Sequence, residues 1–324
     1  MTVFRHTEDL PAQARGSVLA IGNFDGVHLG HHAVLGRTGD LARSLGAPFA
    51  VLTFEPHPRS LFRPEDPPFR LTPLRVKVHA LEDLGVEHLF VRHFDLEFSK
   101  VSAEAFVREI LVGQLQVKQV VVGWDFCFGH KRAGDAKLLR DLGAELGFVV
   151  TAMDPVTQQD GEVYSSSNIR RYLREGAPDK AARLLGRPFE IDARVFEGDR
   201  RGRTLGFPTA NLALSEYLVP AMGVYAVRAG VDQEGTTRWY DGVANLGRRP
   251  TVDGTRLQLE VHLFDFTGNL YGHHLRVQLV EFLRPEKKFD GLEGLKAQIA
   301  RDCDHARAVL GAGAGLDQAP AAGG

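Results

Sequence analysis

Two histidines three residues apart lie in a glycine-rich stretch, GNFDGVHLGHH, which begins at Gly22. One helical turn separates His28 from His31, so a helix beginning here would place both imidazoles on one face. Gly30 lies between them and has no side chain, which lets a phosphate approach the backbone closely. A helix N-terminus adds unpaired N–H groups and a dipole that favours anions. The stretch therefore predicts a site that stabilises charge on a phosphate by electrostatic positioning, without a covalent intermediate.

Three further polar segments of the first half carry groups that suit the same chemistry. TFEPHPRS contributes His57, VGWDFCFGHKRAGD contributes Asp125, and SSSNIRRYL contributes serine hydroxyls followed by Arg170. Plainer interpretations exist for each segment. A single His-x-Gly-His is equally typical of helix caps or surface histidines, and Ser165 or Ser166 is also an ordinary N-cap residue.

The second half contains the stretch EGDRRGRTLGFPTANL, which begins at Glu197. Three glycines and two adjacent arginines are typical of a loop that contacts phosphate. Thr209 and Asn211 are two residues apart, so an extended backbone would point both side-chain oxygens to one side. Neutral oxygens combined with ATP phosphates suit Mg²⁺, which keeps several waters and takes few protein ligands. A glycine-rich hairpin with an Asn-capped turn explains the same residues equally well.

A carboxylate further along the chain is a candidate general base. In LEVHLFDFTGNLYG, alternation places Glu260 and His262 on one face of a predicted strand and Val261 and Leu263 on the other. A carboxylate can accept the proton of a primary hydroxyl that attacks a γ-phosphate. Alternation alone favours a simpler interpretation, in which both residues form the solvent face of a strand.

The elements that must position these groups differ between the two halves. In the first half, apolar strands alternate with helices predicted over 32–45, 75–84, 103–111 and 136–146. The five predicted strands begin at Ser17, Pro48, His88, Val117 and Gly147. This alternation indicates an α/β fold with a parallel sheet covered on both faces. Such sheets bind ligands at the carboxyl ends of their strands, where the four polar segments would converge.

The second half is predicted to be a small antiparallel barrel. Two short helices reach residue 185, and short strands follow near 191–196, 223–229, 238–244, 257–263 and 275–282. A final helix over 292–310 has one apolar face and should pack against the barrel. We expect two domains, 1–185 and 186–310. The remaining residues, 311–324, cannot bury a core and are expected to be disordered.

Bulk composition excludes several classes of partner. The 324 residues carry a net charge of −2, which disfavours nucleic acid and polybasic membrane contacts. No apolar run is long enough to span a bilayer, and the N-terminus lacks a signal pattern. Cys127 and Cys303 fit reduced thiols better than a disulfide framework. We expect a cytoplasmic protein with small-molecule partners, no nucleic acid and no membrane, which is a monomer or weak homo-oligomer.

The motifs resemble those of the bifunctional riboflavin kinase/FAD synthetases, in order, over roughly residues 15 to 308. GNFDGVHLGH, TFEPHPRS, RLTP, DFCFGHKRAGD and SSSNIR resemble the adenylyltransferase module of that family. GDRRGRTLGFPTANL, YDGVANLGRRPT, EVHLFDFTGNLYG and FLRPEKKF resemble riboflavin kinase. The resemblance implies a Rossmann-like nucleotidylyltransferase domain followed by a six-stranded barrel with a C-terminal helix. It also implies Mg²⁺, ATP as co-substrate, and conversion of riboflavin to FMN and of FMN to FAD.

For the first domain, the resemblance implies that His28 and His31 are catalytic. It implies binding of ATP and its phosphates by Gly22, Asn23, Phe24, Asp25, Gly30, His57, Ser165, Ser166 and Arg170. It implies binding of the flavin by Asp125, Phe126 and Phe128. Cys127 departs from the family pattern, because an arginine usually stands there. The change replaces a permanent cation with a small, nearly neutral thiol, so flavin or phosphate affinity should be weaker.

For the second domain, the resemblance implies that Glu260 is the catalytic base and that Thr209 and Asn211 bind magnesium. It implies binding of ATP by Gly198, Arg203, Gly206, Phe207 and Pro208. The C-terminal helix, with Arg284 nearby, would border the flavin pocket.

Two alternatives stay open: a single-activity riboflavin kinase, and a flavin-binding regulator with one degenerate site. The intact PTAN segment and Glu260 disfavour loss of the kinase, and the intact histidine pair disfavours loss of the adenylyltransferase. A class I tRNA synthetase would need a KMSKS-like loop and an anticodon-binding region, and the sequence contains neither.

Overall fold

The structure is a computed structural model that describes residues 1–158, 161–197, 206–233, 236–251 and 254–313. Contacts divide the chain into two compact units. The first comprises Met1–Pro67 and Thr72–Ser166, and the second comprises Pro68–Leu71 and the chain from Ser167 onward. The functional domain limits, 1–185 and 186–310, stay a prediction. Within the described ranges, no helix is both long enough and apolar enough to cross a membrane.

The first unit contains a six-stranded parallel sheet. Its strands are β1 (Thr2–Phe4), β2 (Val18–Ile21), β3 (Phe49–Glu55), β4 (His88–His93), β5 (Gln119–Gly123) and β8 (Val149–Met153); β6 (Cys127–Phe128) and β7 (Gly134–Asp135) form a separate hairpin. The spatial order is β1-β4-β3-β2-β5-β8. The chain moves outward from β2 through β3 to β4 and then crosses to β5 and β8. The carboxyl ends of β2 and β5 therefore border the switch in strand order, where such sheets bind ligands.

Helices connect these strands and cover both faces of the sheet. They are α1 (Leu29–Leu45), α2 (Pro58–Phe62), α3 (Leu74–Asp83), α4 (Ala103–Ala105), which continues as a π-helical stretch over Phe106–Gln114, and α5 (Ala136–Leu146). Successive strand residues enter two different apolar clusters: Leu19 and Leu52 belong to one, and Val18 and Val51 to the other. Both faces of the sheet are therefore buried, which confirms the predicted architecture.

Capping residues explain where two of these helices begin and end. His28 caps the start of α1, and Gly46 ends it in the left-handed region at φ 52°. The Asp135 carboxylate accepts the N–H of Leu138 at 2.8 Å and caps the start of α5. Gly147, at φ 87°, ends that helix. These glycines adopt a backbone conformation that side chains disfavour.

Four details of the first unit differ from the sequence prediction. Strand β1 was not predicted, because three residues at a chain end carry too little pattern. Helix α2 is a single short turn and was also not predicted. Helix α1 begins at Leu29, three residues before the predicted start. The helix predicted over 103–111 is α-helical only to Ala105 and then π-helical to Gln114.

The second unit is built around a closed barrel of six antiparallel strands. Two helices precede it, α6 (Ser166–Arg174) and α7 (Pro178–Leu185). The strands are β9 (Phe189–Phe196), β10 (Ala210–Ala213), β11 (Gly223–Gln233), β12 (Thr236–Thr251), β13 (Gly254–Leu263) and β14 (His274–Pro285), in the order β10-β13-β12-β11-β14-β9. The six-stranded barrel is confirmed. Sequence alternation predicted five of the strands and missed β10, because its four residues, ANLA, do not alternate clearly.

The barrel has an apolar interior and an outer face that the last helix covers in part. Leu212, Leu259 and Leu246 are paired neighbours on β10, β13 and β12, and all three are fully buried. The helix α8 (Leu292–Gly313) packs on the opposite side of the sheet. The residues in that contact are Val224, Ala226, Val243, Cys303, Ala306 and Leu310. The predicted packing of the final helix is confirmed, but the helix continues to Gly313, three residues into the tail predicted over 311–324. The rest of that predicted tail lies outside the described residues.

Candidate active sites

The loop between β2 and α1 is buried and tightly folded. Phe24, Gly26 and Val27 have φ values of 47°, 97° and 43°. Non-glycine residues in this region are uncommon and cluster at functional sites. The Asp25 carboxylate accepts the backbone N–H of Thr72 at 3.0 Å, and the Thr72 hydroxyl accepts the N–H of Gly26 at 2.8 Å. Thr72, which lies within RLTP, therefore fixes the loop, although no sequence pattern assigned it a role.

The two histidines meet at the N-terminus of α1. His28 Nδ1 accepts the N–H of His31 at 3.3 Å, and the two rings stack with centroids 3.6 Å apart. Phe24 contacts the His31 ring edge-on at 5.2 Å. A Cβ at Gly30 would lie 3.1 Å from both the His28 ring and the Tyr164 carbonyl oxygen, so a side chain here would require these neighbours to shift. The histidines come together as predicted, but His28 caps the helix instead of lying inside its first turn.

A buried lysine connects β3 to the same loop. Lys77 Nζ donates to Thr53 Oγ1 and to Glu55 Oε1, both at 3.2 Å. Thr53 Oγ1 in turn donates to the Asn23 carbonyl at 3.3 Å. Lys77 is fully buried. The helical pattern of α3 does not distinguish this lysine from a solvent-exposed one, so the sequence alone does not predict its contacts.

Two more of the predicted phosphate ligands adjoin helix starts. His57 caps α2, and its Nδ1 accepts the N–H of Arg59 at 3.1 Å. The Ser166 hydroxyl, at the first residue of α6, donates to the Asp25 carbonyl at 2.7 Å. Ser165 precedes it and is half-buried. Ser166 thus contacts the loop that carries the histidines.

Two other predicted phosphate ligands, Gly22 and Arg170, make structural contacts. The Gly22 N–H donates to the Leu52 carbonyl at 3.1 Å and extends the pairing of β2 with β3. Arg170 Nε donates to the Phe69 carbonyl at 2.9 Å, and the guanidinium lies 5.5 Å from the Phe69 ring centroid. Both of these residues belong to the second unit.

The predicted flavin residues follow β5, next to the switch in strand order. Asp125 is exposed there. The Phe126 and Phe128 rings stack with centroids 5.3 Å apart, and Phe128 is buried. Cys127 lies between them on β6 and is an exposed free thiol. Both rings belong to the packing of one apolar cluster of the sheet, with Phe128 in its core and Phe126 packed against it, so Asp125 is the predicted flavin residue that is exposed.

Strand register assembles the candidate site of the barrel. Glu260 on β13 pairs with Asn211 on β10 and with Asn245 on β12. Asn245 also pairs with Val224, which packs against α8. Paired residues of antiparallel strands share a face, so Glu260 and Asn211 lie on the outer face of the barrel.

Asn211 of this row lines a cavity of about 360 Å³, whereas Glu260 is not among its lining residues. Thr209 and Asn211 both line it, so the predicted metal ligands do come together. Pro208 lines it as well, and the His262 ring donates from Nδ1 to the Pro208 carbonyl at 2.9 Å. A hydroxyl and an amide oxygen at a cavity of this size fit Mg²⁺ bound together with phosphates. Of the predicted ATP loop, Gly206 and Phe207 precede this segment, whereas Gly198 and Arg203 lie outside the described residues.

Two family models match the chain, FAD synthetase over residues 10–168 and riboflavin kinase over residues 185–310. The bifunctional riboflavin kinase/FMN adenylyltransferase of Escherichia coli K12 is 44% identical over 301 residues, which cover 93% of this chain and 95% of that protein. The protein of the same name from Bacillus subtilis 168 is 41% identical, covering 88% and 90%. The chain belongs to the bifunctional riboflavin kinase/FMN adenylyltransferase family. Membership confirms the predicted pair of enzymatic domains.

One solved structure resembles this family member over nearly its whole length. It is described as a macrolide-efflux protein from Streptococcus pneumoniae. It is 29% identical with a TM-score of 0.81, covering 94% of this chain and 98% of that one. The family of this chain rests on the two domain matches and on the two relatives above, and not on the description of this structure.

The kinase domain of this family member also contains residues that the sequence analysis did not assign. Arg249 Nε and Gln258 Nε2 both donate to Glu260 Oε1, at 2.8 and 2.7 Å. The pKa of Arg249 is raised, chiefly by its hydrogen bond to Glu260. Gln258 precedes Glu260 by two residues on β13, so alternation could have found it. Arg249 lies on another strand, and only the barrel register reveals its proximity.

The last helix contributes one ion pair near the same face. Arg284 donates to Asp302 on α8, with contacts of 2.9 Å from Nε and 2.6 Å from Nη2. Arg284 also pairs with Val224 across β14 and β11, in the row that contains Asn211 and Glu260. Arg284 therefore lies beside the C-terminal helix, where the sequence analysis expected it.

Proposed function

We propose that the barrel domain transfers the γ-phosphate of ATP to riboflavin, and that the sheet domain then transfers AMP from a second ATP to FMN. The products are FMN with ADP, and FAD with pyrophosphate. The observation that supports the proposal is that one chain carries two different groupings of side chains suited to phosphate chemistry. One is a carboxylate, Glu260, whose partner on the neighbouring strand, Asn211, lines a cavity. The other has stacked imidazoles at a helix N-terminus.

In the kinase domain, we assign the general base to Glu260. Its carboxylate takes the proton of the 5′-hydroxyl of riboflavin as that oxygen bonds to the γ-phosphorus. Thr209 and Asn211 would hold Mg²⁺ through a hydroxyl and an amide oxygen, with ATP at the cavity they line. Bound magnesium would neutralise charge on the phosphates. Gly198, Arg203, Gly206, Phe207 and Pro208 are assigned to the ATP loop.

In the adenylyltransferase domain, a phosphate oxygen of FMN attacks the α-phosphorus of ATP and pyrophosphate leaves. His28 accepts the N–H of His31 at Nδ1 and is held at the start of α1, and we assign its imidazole to the phosphates of ATP. His31 and the dipole at the N-terminus of α1 are assigned to add to the stabilisation of charge there. The remaining phosphate ligands are assigned as Gly22, Asn23, Phe24, Asp25, Gly30, His57, Ser165, Ser166 and Arg170. The flavin ligands are assigned as Asp125, Phe126 and Phe128.

We also infer that the enzyme works in a reducing compartment, the cytoplasm. Cys127 is exposed and Cys303 is buried, and both are free thiols. Free cysteines of this kind are typical of reducing compartments.

The test is chromatography of the products that the purified protein forms from riboflavin, ATP and magnesium. We expect FMN to appear first and FAD to follow, and supplied FMN to give FAD directly. A reaction without magnesium is the control. FMN alone would reduce the function to a riboflavin kinase, and no flavin product would favour a flavin-binding protein.

A further inference from the structure

The carboxylate of Glu260 is held unevenly. Oε1 accepts two strong hydrogen bonds, from Arg249 Nε at 2.8 Å and from Gln258 Nε2 at 2.7 Å. Oε2 has only a long contact of 3.4 Å from Arg249 Nη2, and no other hydrogen bond reaches it from the described residues. A distance of 3.4 Å lies beyond the usual range of N–H···O hydrogen bonds. One oxygen is therefore anchored and the other remains open.

The same barrel contains a matched group of identical residue types. Arg276 donates to Glu190 Oε1 at 2.9 Å from Nε and to Oε2 at 3.2 Å from Nη2. Gln278 Nε2 donates to Glu190 Oε2 at 3.1 Å. Both oxygens of Glu190 are thus occupied, and its side chain is 7% exposed, against 25% for Glu260. An arginine and a glutamine can saturate a carboxylate completely, so the open oxygen of Glu260 is a specific feature of its site.

Arg249 also lies within ion-pair distance of a second carboxylate. Its Nη1 lies 3.6 Å from Glu286 Oε1, so the guanidinium stands between two carboxylates. The raised pKa of Arg249, caused mainly by its hydrogen bond to Glu260, keeps the guanidinium a donor throughout. It therefore does not compete for the proton that Glu260 is assigned to take.

We propose that Arg249 and Gln258 are positioning residues of the kinase, which anchor Glu260 through Oε1 and leave Oε2 as the proton acceptor. The inference rests on the proposed role of Glu260 as base. As the 5′-oxygen of riboflavin bonds to the γ-phosphorus, the bond from that phosphorus to the bridging β-phosphate oxygen breaks. ADP leaves, and the hydroxyl proton passes to Oε2. Arg249 and Gln258 touch neither substrate in this scheme and act only through Glu260.

The test measures kcat and KM for riboflavin and ATP in the full chain carrying Arg249→Met, Arg249→Lys or Gln258→Leu. Arg249→Met should lower kcat about 10- to 100-fold, because a base misplaced by 1 Å costs that much. Its KM values should stay within about threefold of the parent, as for a residue that acts only in the chemical step. Arg249→Lys should restore part of kcat, because lysine keeps the charge but loses the two-pronged contact. FAD formation from supplied FMN should not change, which reports an intact fold.

A matched control and a double variant separate positioning from general stability. Arg276→Met breaks the similar contact at Glu190 and should lower the melting temperature while kcat stays unchanged. In a Glu260→Gln background, Arg249→Met should add almost no further loss, because the two residues act as one unit.

Three results would overturn the inference: a rise in KM with kcat unaltered, a further full loss in the double variant, or a faster Arg249→Met enzyme. A Glu260→Gln enzyme with full kinase activity would instead reject the proposed base. If Glu260→Gln is inactive and Arg249→Met is fully active, only the positioning role fails.

Discussion

The two candidate sites fix their functional side chains by different means. In the sheet domain, His28 and His31 depend on a loop, whose shape requires left-handed residues and specific bonds such as that from Thr72 to Asp25. In the barrel domain, Asn211 and Glu260 share a face because their strands pair. Register alone sets the direction of paired side chains, whereas a loop has to be fixed bond by bond. Changes that distort the loop should therefore displace the imidazoles, whereas Glu260 and Asn211 keep a common face as long as their strands pair.

The largest expected loss of activity is that of Glu260→Gln, which should affect one site and not the other. Glu260→Gln keeps the shape of the side chain but removes the base, so FMN formation should fall about 10²- to 10⁴-fold. FAD formation from supplied FMN should continue at the parent rate, because it uses the other domain. Product chromatography with riboflavin and then with FMN measures both steps. Loss of both activities in a folded variant would contradict the independence of the two sites.

The opposite loss, of FAD formation with the kinase step intact, is expected from a double variant of the sheet domain. His28→Ala combined with His31→Ala removes the imidazoles that are assigned to the phosphates, so the reaction should stop at FMN. Loss of groups that stabilise developing charge typically costs about 10²- to 10³-fold, and two histidines that act as one unit should not cost the product of two such losses. The kinase step provides the internal control. FAD formation at an undiminished rate in this variant would mean that the histidines only cap the helix.

A smaller change tests the sensitivity of the loop site. In Gly30→Ala the new Cβ would lie 3.1 Å from the His28 ring and from the Tyr164 carbonyl, so the ring or the helix start must shift. We expect adenylyl transfer to fall about tenfold, because small misplacements of catalytic groups are costly.

Gly36→Ala is the matched control for that variant. It lies in the same helix, and its Cβ would meet nothing within 4 Å. It should raise stability by up to about 1 kcal/mol through helix propensity, with no change in rate. Equal rates for the two variants would show that space at Gly30 is unimportant.

The sequence predicts the parts of these sites that depend on local pattern. Alternating strands and helices placed the polar segments at the carboxyl edge of the sheet, and strand periodicity put Glu260 on a face opposite Val261. Strand periodicity could not place Glu260 beside Asn211, because their proximity depends on the pairing of β13 with β10. Strand β10 itself was missed.

Long-range contacts account for the residues that were not assigned. Lys77, Thr72 and Arg249 each act through a partner that is distant in the sequence or lies on another element. No periodicity encodes such a partner. The order of motifs along the chain, in contrast, was enough to indicate the family and the six-stranded barrel. Local chemistry and family resemblance therefore predicted the sites, and tertiary register was needed for the groups that hold them.

The smallest expected effect concerns the flavin end of the loop site. Cys127 is an exposed thiol that lies in the chain between two stacked phenylalanines, at a position where the family resemblance implies an arginine. Cys127→Arg should lower the KM for FMN in the second step, since an exposed ion pair contributes at most about 1 kcal/mol, or about fivefold. The gain should shrink at high salt, because exposed charges are screened. Cys127→Ser is the neutral control. The kcat and KM of riboflavin phosphorylation should be the same in both variants. Equal KM values for FMN in the arginine and serine variants would mean that this position contributes shape and not charge.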